Sequence, residues 1–447
     1  MSLSARRPPP EQNRPSLARS LVVLAGSNLA VPTAALLTGP VLARALGPEG
    51  RGEYAAVFAP IGLATVLLAF GLPEATAYVV ATARASIRRA SQVAVAFGAL
   101  SGGAAAIGLI ALSTILLPQS PEARGVLIAV ALTLPLTMGL GMLRYVAQGR
   151  GRYELMARER IFIVVLRTTL IVGFGVIGHL TVTRAVWFTH GAVMLAVLML
   201  LPVLRSADRP AREHGHVPAL PGFLVKYGLR TWLGTVSGIL ILRLDQVLLA
   251  ALAGARELGW YAVAVSVAEV PAVALLAVRD VLFPAAADRR DPGLVARAAR
   301  ITLIIALPVC ALGIVLAPFA VPLLFGDDFQ PAVGLTQLLF VATIFSGLAL
   351  VLSAGLFSIG RPGLVSLAQV TAATVSIVSV FVLVPWFGGL GAALASLAAY
   401  TVSAALIAIG FVRATPLPVR DLVVPRAADV QDLWSIVERV RRRRPRE

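Results

Sequence analysis

Residues 42 to 59 read LARALGPEGRGEYAAVFA, and 207 positions later residues 249 to 266 read LAALAGARELGWYAVAVS. Over the wider alignment of residues 37 to 60 with 244 to 267, seven of 24 positions are identical: Leu37/Leu244, Leu42/Leu249, Ala43/Ala250, Gly47/Gly254, Gly52/Gly259, Tyr54/Tyr261 and Ala55/Ala262. Leu and Ala are common throughout the chain, so the informative matches are the two glycines and the tyrosine at kept spacing. A glycine ends a helix and permits a tight turn, and tyrosine suits a membrane interface. Both copies therefore read as the outer turn of a helical hairpin.

The same offset pairs LLPQSPEA (116 to 123) with LLFGDDFQ (323 to 330), a second outer turn, and with a slip of four residues Gly149-Arg150 matches Gly360-Arg361. The chain is thus written twice.

Around these turns lies an apolar chain. Of the 447 residues 58% are hydrophobic and 14% charged, and the mean hydropathy is +0.86. Such a composition belongs to an integral membrane protein. Runs long enough to cross a hydrocarbon core of ~30 Å at ~1.5 Å per residue recur throughout. Twelve spans result, over 20 to 44, 54 to 83, 90 to 117, 124 to 148, 159 to 180, 183 to 204, 224 to 252, 258 to 284, 298 to 325, 331 to 359, 362 to 387 and 389 to 412.

The repeat divides them into two six-helix halves. Because six is even, both halves share one orientation, and the repeat is parallel about an axis along the membrane normal. The expected fold is an all-α polytopic membrane protein, two parallel six-helix bundles around a central cavity. The organisation is a disordered segment 1–19, an N-lobe 20–204, a linker 205–221, a C-lobe 222–412 and a basic amphipathic tail 413–447.

The net charge of +17 is distributed as membrane topology demands. With the N-terminus cytoplasmic, 31 of the 39 Lys and Arg residues fall on the cytoplasmic side. Five lie outside (Arg44, Arg51, Arg124, Arg184, Arg256) and three within helices (Arg167, Arg230, Arg243). Both termini and the linker are then cytoplasmic, while Glu49, Glu122, Arg256 and Asp327 face outward. No stretch interleaves basic and aromatic residues as a nucleic-acid surface does. A signal-peptide reading of the first run, which ends Ala43-Arg44-Ala45, is opposed by its length and by the internal copy of its end.

The single cysteine, Cys310, allows no disulfide within the chain. His214 and His216 lack Cys or His partners for a metal, His179 and His190 read as interfacial or packing residues, and no phosphate loop or nucleophile with a base occurs. Neither cofactor, metal nor catalysis is expected. The tail places Leu433, Ile436, Val437 and Val440 on one helical face beside Arg441 to Arg444, a pattern for a helix lying on anionic lipid.

Ionisable groups at membrane depth each cost roughly 2.5 to 3.5 kcal/mol near a helix centre unless compensated, and they mark the candidate site. Arg160 and Arg167 share a face of the fifth helix and form a stripe from the cytoplasm. On the seventh helix Arg230, Gly234, Ser237, Ile241 and Asp245 line one face, while Arg243 points to the opposite side. Glu269 sits two residues before Pro271, and Glu74 follows Pro73.

The substrate-binding candidates are Arg167, Arg243, Arg160 and Glu74, of which the three guanidinium groups would suit an anionic substrate. The candidates for a coupling ion, Na+ or H+, are Asp245 and Glu269. Interhelical ion pairs among Arg167, Arg243, Asp245 and Glu269 are the competing reading.

The turn LGPEGRGEYA (46 to 55), its echo LDQVLLAALAG to GWYA (244 to 262), FPAAA (283 to 287) and LLFGDDFQPA (323 to 332) resemble the Wzx-type oligosaccharide flippases of the MOP superfamily. That superfamily also holds the MATE antiporters and MurJ lipid II flippases. The resemblance implies translocation of an undecaprenyl-diphosphate-linked oligosaccharide across the cytoplasmic membrane by alternating access. Twelve helices suit Wzx-type and MATE proteins, whereas MurJ-like proteins usually carry fourteen. The implied partners are lipid-linked oligosaccharide and membrane lipids, with a polysaccharide polymerase and glycosyltransferases beside a monomer, and no nucleic acid.

Two other function classes compete. A MATE-like exporter of organic cations would want acidic, aromatic-lined lobes, against 6% aromatic residues here. A polymerase or scaffold of polysaccharide assembly would want a large outer loop, and the outer loops are short.

Overall fold

The computed structural model describes residues 17–204, 220–289, 291–424, 426 and 429, and every regular element among them is helical. Hydrocarbon offers no partner for a backbone N–H or C=O, so an apolar chain that crosses it must satisfy these groups within each segment. The helices are α1 (Leu17–Leu67), α2 (Leu72–Ala81), α3 (Ile87–Leu116), α4 (Pro121–Gly149), α5 (Tyr153–Val176) and α6 (Val182–Leu198) in the first half. The second half holds α7 (Leu220–Ala253), α8 (Ala255–Arg289), α9 (Pro292–Phe325), α10 (Ala332–Ser358), α11 (Pro362–Phe387) and α12 (Gly389–Ala414), followed by the short α13 (Arg420–Val423). Among the described residues, seven helices are long and apolar enough to cross a membrane by length and composition alone, and a bent pair makes an eighth.

The twelve expected spans lie on these helices, arranged as two parallel six-helix bundles. Two details differ from the sequence reading. α1 contains the first span and the first part of the second, two helices that meet at a kink at Gly47, whose φ of 68° and ψ of −179° are not helical. The second span, expected as one helix over 54 to 83, breaks after Leu67 and resumes as α2 at an angle of 50°. Phe70 and Gly71 adopt φ of 47° and 66° there. Pro73, in the first turn of α2, has no N–H to bond backward and its ring blocks a continuous helix.

The repeated glycines do two jobs rather than one. Gly47 and Gly254, with φ of 68° and 89°, make the turns. Gly52 and Gly259, read from the sequence as turn residues too, instead face each other where α1 crosses α8. A Cβ on Gly52 would overlap the Ala255 carbonyl oxygen, and one on Gly259 the Pro48 carbonyl oxygen. The two halves touch backbone to backbone at repeat-equivalent residues.

Around that crossing a single apolar core spans both halves, with Leu42, Val57, Leu127 and Ile171 from one and Leu249, Leu258, Tyr261 and Ala392 from the other. Away from it, α7 leans on the first half. Tyr227 stacks on Tyr78 of α2 with centroids 4.7 Å apart, and the Trp232 indole donates to the Leu67 carbonyl at 2.7 Å.

Of the expected tail, only its root is described. Leu422 is buried against the C-lobe. Asp429 accepts two hydrogen bonds from Arg300 of α9, at 2.6 and 2.8 Å, and Arg300 also donates to the Asp421 carbonyl at 2.6 Å. This pairing holds the Asp429 carboxyl below the usual carboxylate range. The expected amphipathic helix beyond Asp429 lies outside the described residues, as do positions 1–16, positions 205–219 of the linker and the two histidines in it.

Candidate functional site

Between the halves lies a cavity of about 360 Å³. Arg51, Tyr54, Phe58 and Gly62 of α1, Arg167 of α5 and Thr189 of α6 line it from the first half; Arg243 and Gln246 of α7 and Ser266 and Glu269 of α8 line it from the second. Three guanidinium groups thus face one carboxylate.

Arg51 was expected on the outer side, in a loop. It is instead buried within α1 and lines the cavity. Its guanidinium sits 5.5 Å from the centre of the Tyr54 ring, and its Nε has no hydrogen-bond partner. The Gly-rich surroundings that suggested a loop serve the helix crossing at Gly52.

Arg167 donates to the Thr38 hydroxyl at 3.2 Å, while its Nε is also without a partner. Arg167 lines a second, smaller cavity of about 120 Å³ as well, together with Ala34, Arg144, Glu159 and Arg160. In that cavity Arg144 and Glu159 form a two-pronged ion pair, leaving Arg160 as a further half-buried cation. The expected stripe of Arg160 and Arg167 therefore connects two cavities.

Arg243 lies within 3.6 Å of Glu269, with both side chains partly exposed to the cavity. Neither Arg167 with Glu269 nor Arg243 with Asp245 is a pair in the structure. Asp245 is buried away from the cavity, where it accepts hydrogen bonds from the Tyr261 hydroxyl, the Ser396 hydroxyl at 2.9 Å and the Gln246 N–H at 2.7 Å. The seventh helix thus does point Arg243 and Asp245 to different sides. Glu74 is exposed at the start of α2 and lines neither cavity.

His190 is buried and bonds the Thr133 hydroxyl at 2.6 Å, whereas His179 is exposed. Among the described residues no group of three or more His, Cys, Asp or Glu is placed to hold a metal.

The sequence model of the family described as "Polysaccharide biosynthesis protein" matches residues 41–334. Among curated proteins none matches significantly. Among solved structures the chain is similar to the lipid II flippase MurJ in an inward closed conformation, with a TM-score of 0.70, 14% identity and coverage of 93% of this chain and 92% of that one. It is similar also to an inward-facing multidrug resistance MATE transporter of the MOP superfamily, with a TM-score of 0.66, 17% identity and coverage of 87% and 97%. A eukaryotic MATE transporter matches with a TM-score of 0.59 at 16% identity over 88% and 95%. The chain thus shares the fold of these MATE transporters and of the MurJ flippase.

Proposed function

Because the chain belongs to the polysaccharide biosynthesis protein family, we propose that it is a flippase for an undecaprenyl-diphosphate-linked oligosaccharide, acting by alternating access in the cytoplasmic membrane. The observation that carries this reading is the interlobe cavity, where Arg51, Arg167 and Arg243 converge against the single carboxylate of Glu269. A compact polyanion at the middle of a low-dielectric slab needs fixed cations, and guanidinium groups supply them in a fork that matches phosphate oxygens.

Arg160 extends the row of cations into the smaller cavity. Such a cavity opposes an organic cation, so export of cationic drugs is the weaker reading. In this account both termini and the linker 205–221 are cytoplasmic, the protein acts as a monomer, and the polymerase and glycosyltransferases of the same glycan are its functional partners.

The test is export. Replacing Arg51 or Arg167 with Gln in cells that depend on this chain is expected to leave expression and membrane insertion intact and to abolish glycan export. Export at the original level in both variants would overturn the reading. The orientation is checked separately with single cysteines in a Cys310→Ala background. An impermeant maleimide added from outside is expected to label position 49 or 327 and not the linker.

A further inference from the structure

Among the described residues two ion pairs join one membrane helix to another, and their geometries differ. Arg144 and Glu159 are joined by two hydrogen bonds, and the Glu159 side chain is 1% exposed. Arg243 and Glu269 approach only to 3.6 Å, beyond hydrogen-bond length, and their side chains are 36% and 48% exposed. The first pair is a fixed strut. The second is loose, opens into the interlobe cavity and adjoins Arg51 and Arg167.

We infer that Glu269 is an internal counter-ion that competes with the substrate's phosphate for Arg243, and that substrate binding frees Glu269 to take up a small cation, a proton or Na+, in the same cavity. The inference rests on the function proposed above. A diphosphate offers Arg243 a tighter, two-pronged partner than a carboxylate at 3.6 Å. Once Arg243 turns to the phosphate, the bare Glu269 carboxylate stands beside a second anion in the same cavity, an arrangement that disfavours the charged form or recruits a cation.

Among the described residues that line the cavity, no cation beyond Arg51, Arg167 and Arg243 is left for Glu269. Arg51 with Tyr54 on α1 and Arg167 on α5 line the same cavity, where they would hold the phosphate. Asp245 on α7 is held by Tyr261 and Ser396. Tyr400 on α12 is the nearby hydroxyl. α10 carries no ionisable residue, and Arg297 and Arg300 of α9 lie at Asp429. Substrate and cation thus bind together, and each raises the affinity for the other.

The experiment uses the full chain in lipid nanodiscs with farnesyl diphosphate as the probe. Titration calorimetry is run in two buffers of different ionisation heat to count protons, and with Na+ replaced by a large organic cation to detect sodium. Glu269→Gln is expected to bind the probe about tenfold more tightly than the parent and to lose the proton or Na+ linkage that the parent shows. Arg243→Gln is expected to bind more weakly, and adding Glu269→Gln in that background should change little.

If Glu269→Gln binds no more tightly, or the parent shows neither linkage, while Arg51→Gln and Arg167→Gln still weaken the probe, the exchange of partners is wrong and the flippase reading stands. If Arg51→Gln and Arg167→Gln leave probe binding unchanged, the diphosphate reading itself fails.

Discussion

The hydroxyl of Tyr54 bonds the hydroxyl of Thr189 at 2.9 Å, and the hydroxyl of Tyr261 bonds that of Ser396 at 3.0 Å; the two tyrosines are 207 residues apart, and each partner lies 135 residues further along the chain. The repeat therefore extends to individual hydrogen bonds. It departs from symmetry at the next atom. Tyr261 also bonds Asp245, and the residue 207 positions before Asp245 is Thr38, which takes its hydrogen bond from Arg167.

Tyr261→Phe should accordingly cost more than Tyr54→Phe. The first change strips a buried carboxylate of a partner, with a penalty of ~1–3 kcal/mol, whereas the second removes one bond between neutral hydroxyls, worth ~1 kcal/mol. Thermal unfolding in detergent should rank them in that order. Equal melting temperatures would show that Asp245 does not depend on Tyr261.

Gly52→Ala and Gly259→Ala should each destabilise the protein by ~1–3 kcal/mol, since the new methyl meets a backbone carbonyl that has no rotamer to give way. Gly103→Ala on α3 meets nothing within 4 Å and serves as the control, expected to be neutral or slightly stabilising. The same detergent melts decide it.

Removing one charge of the strut, by Glu159→Gln, is expected to cost ~3–5 kcal/mol, because it leaves Arg144 without its buried counter-ion. Arg243→Gln breaks a pair that is exposed to the cavity and should cost at most ~1 kcal/mol. Double variants Arg144→Gln with Glu159→Gln should recover much of the loss. A large loss at Arg243 would make that pair structural.

The root of the tail should be sensitive to acid. Its carboxyl, Asp429, is lowered from an ordinary 3.8 by the hydrogen bonds from Arg300, so docking is at full strength above pH ~4 and is lost as pH falls through the lowered native value. Protease cleavage of the segment after Val423 should rise below pH ~4, and Asp429→Asn should show the same cleavage at neutral pH. Equal protection of the variant at pH 7 would refute the role of this pair.

Much of the site was legible because an arginine or glutamate inside an apolar run stands out. Arg160, Arg167, Arg243 and Glu269 stand out in this way and line the two cavities, and helical spacing separates Arg243 from Asp245. Arg51 was missed, although a signal existed. The 207-residue register pairs it with Leu258, an apolar residue inside α8, which places Arg51 within a helix rather than in a loop. The partners of Asp245 were not readable, because Tyr261 and Ser396 reach it from α8 and α12 and only helix packing brings them together. Glu74 is the reverse case, a charge that stands out in the sequence but lines neither cavity. The break after Leu67 turns α2 away from the cavity.

α7 is one helix with two allegiances. Near its start, Tyr227 and Trp232 are bound to the first half, and near its end Asp245 is tied to α8 and α12 of the second. Arg243 rides on the same rod between those anchorages. A change in the angle between the halves must therefore bend or turn this rod, carrying Arg243 with it, so the position of one cavity charge is geared to the attitude of the lobes.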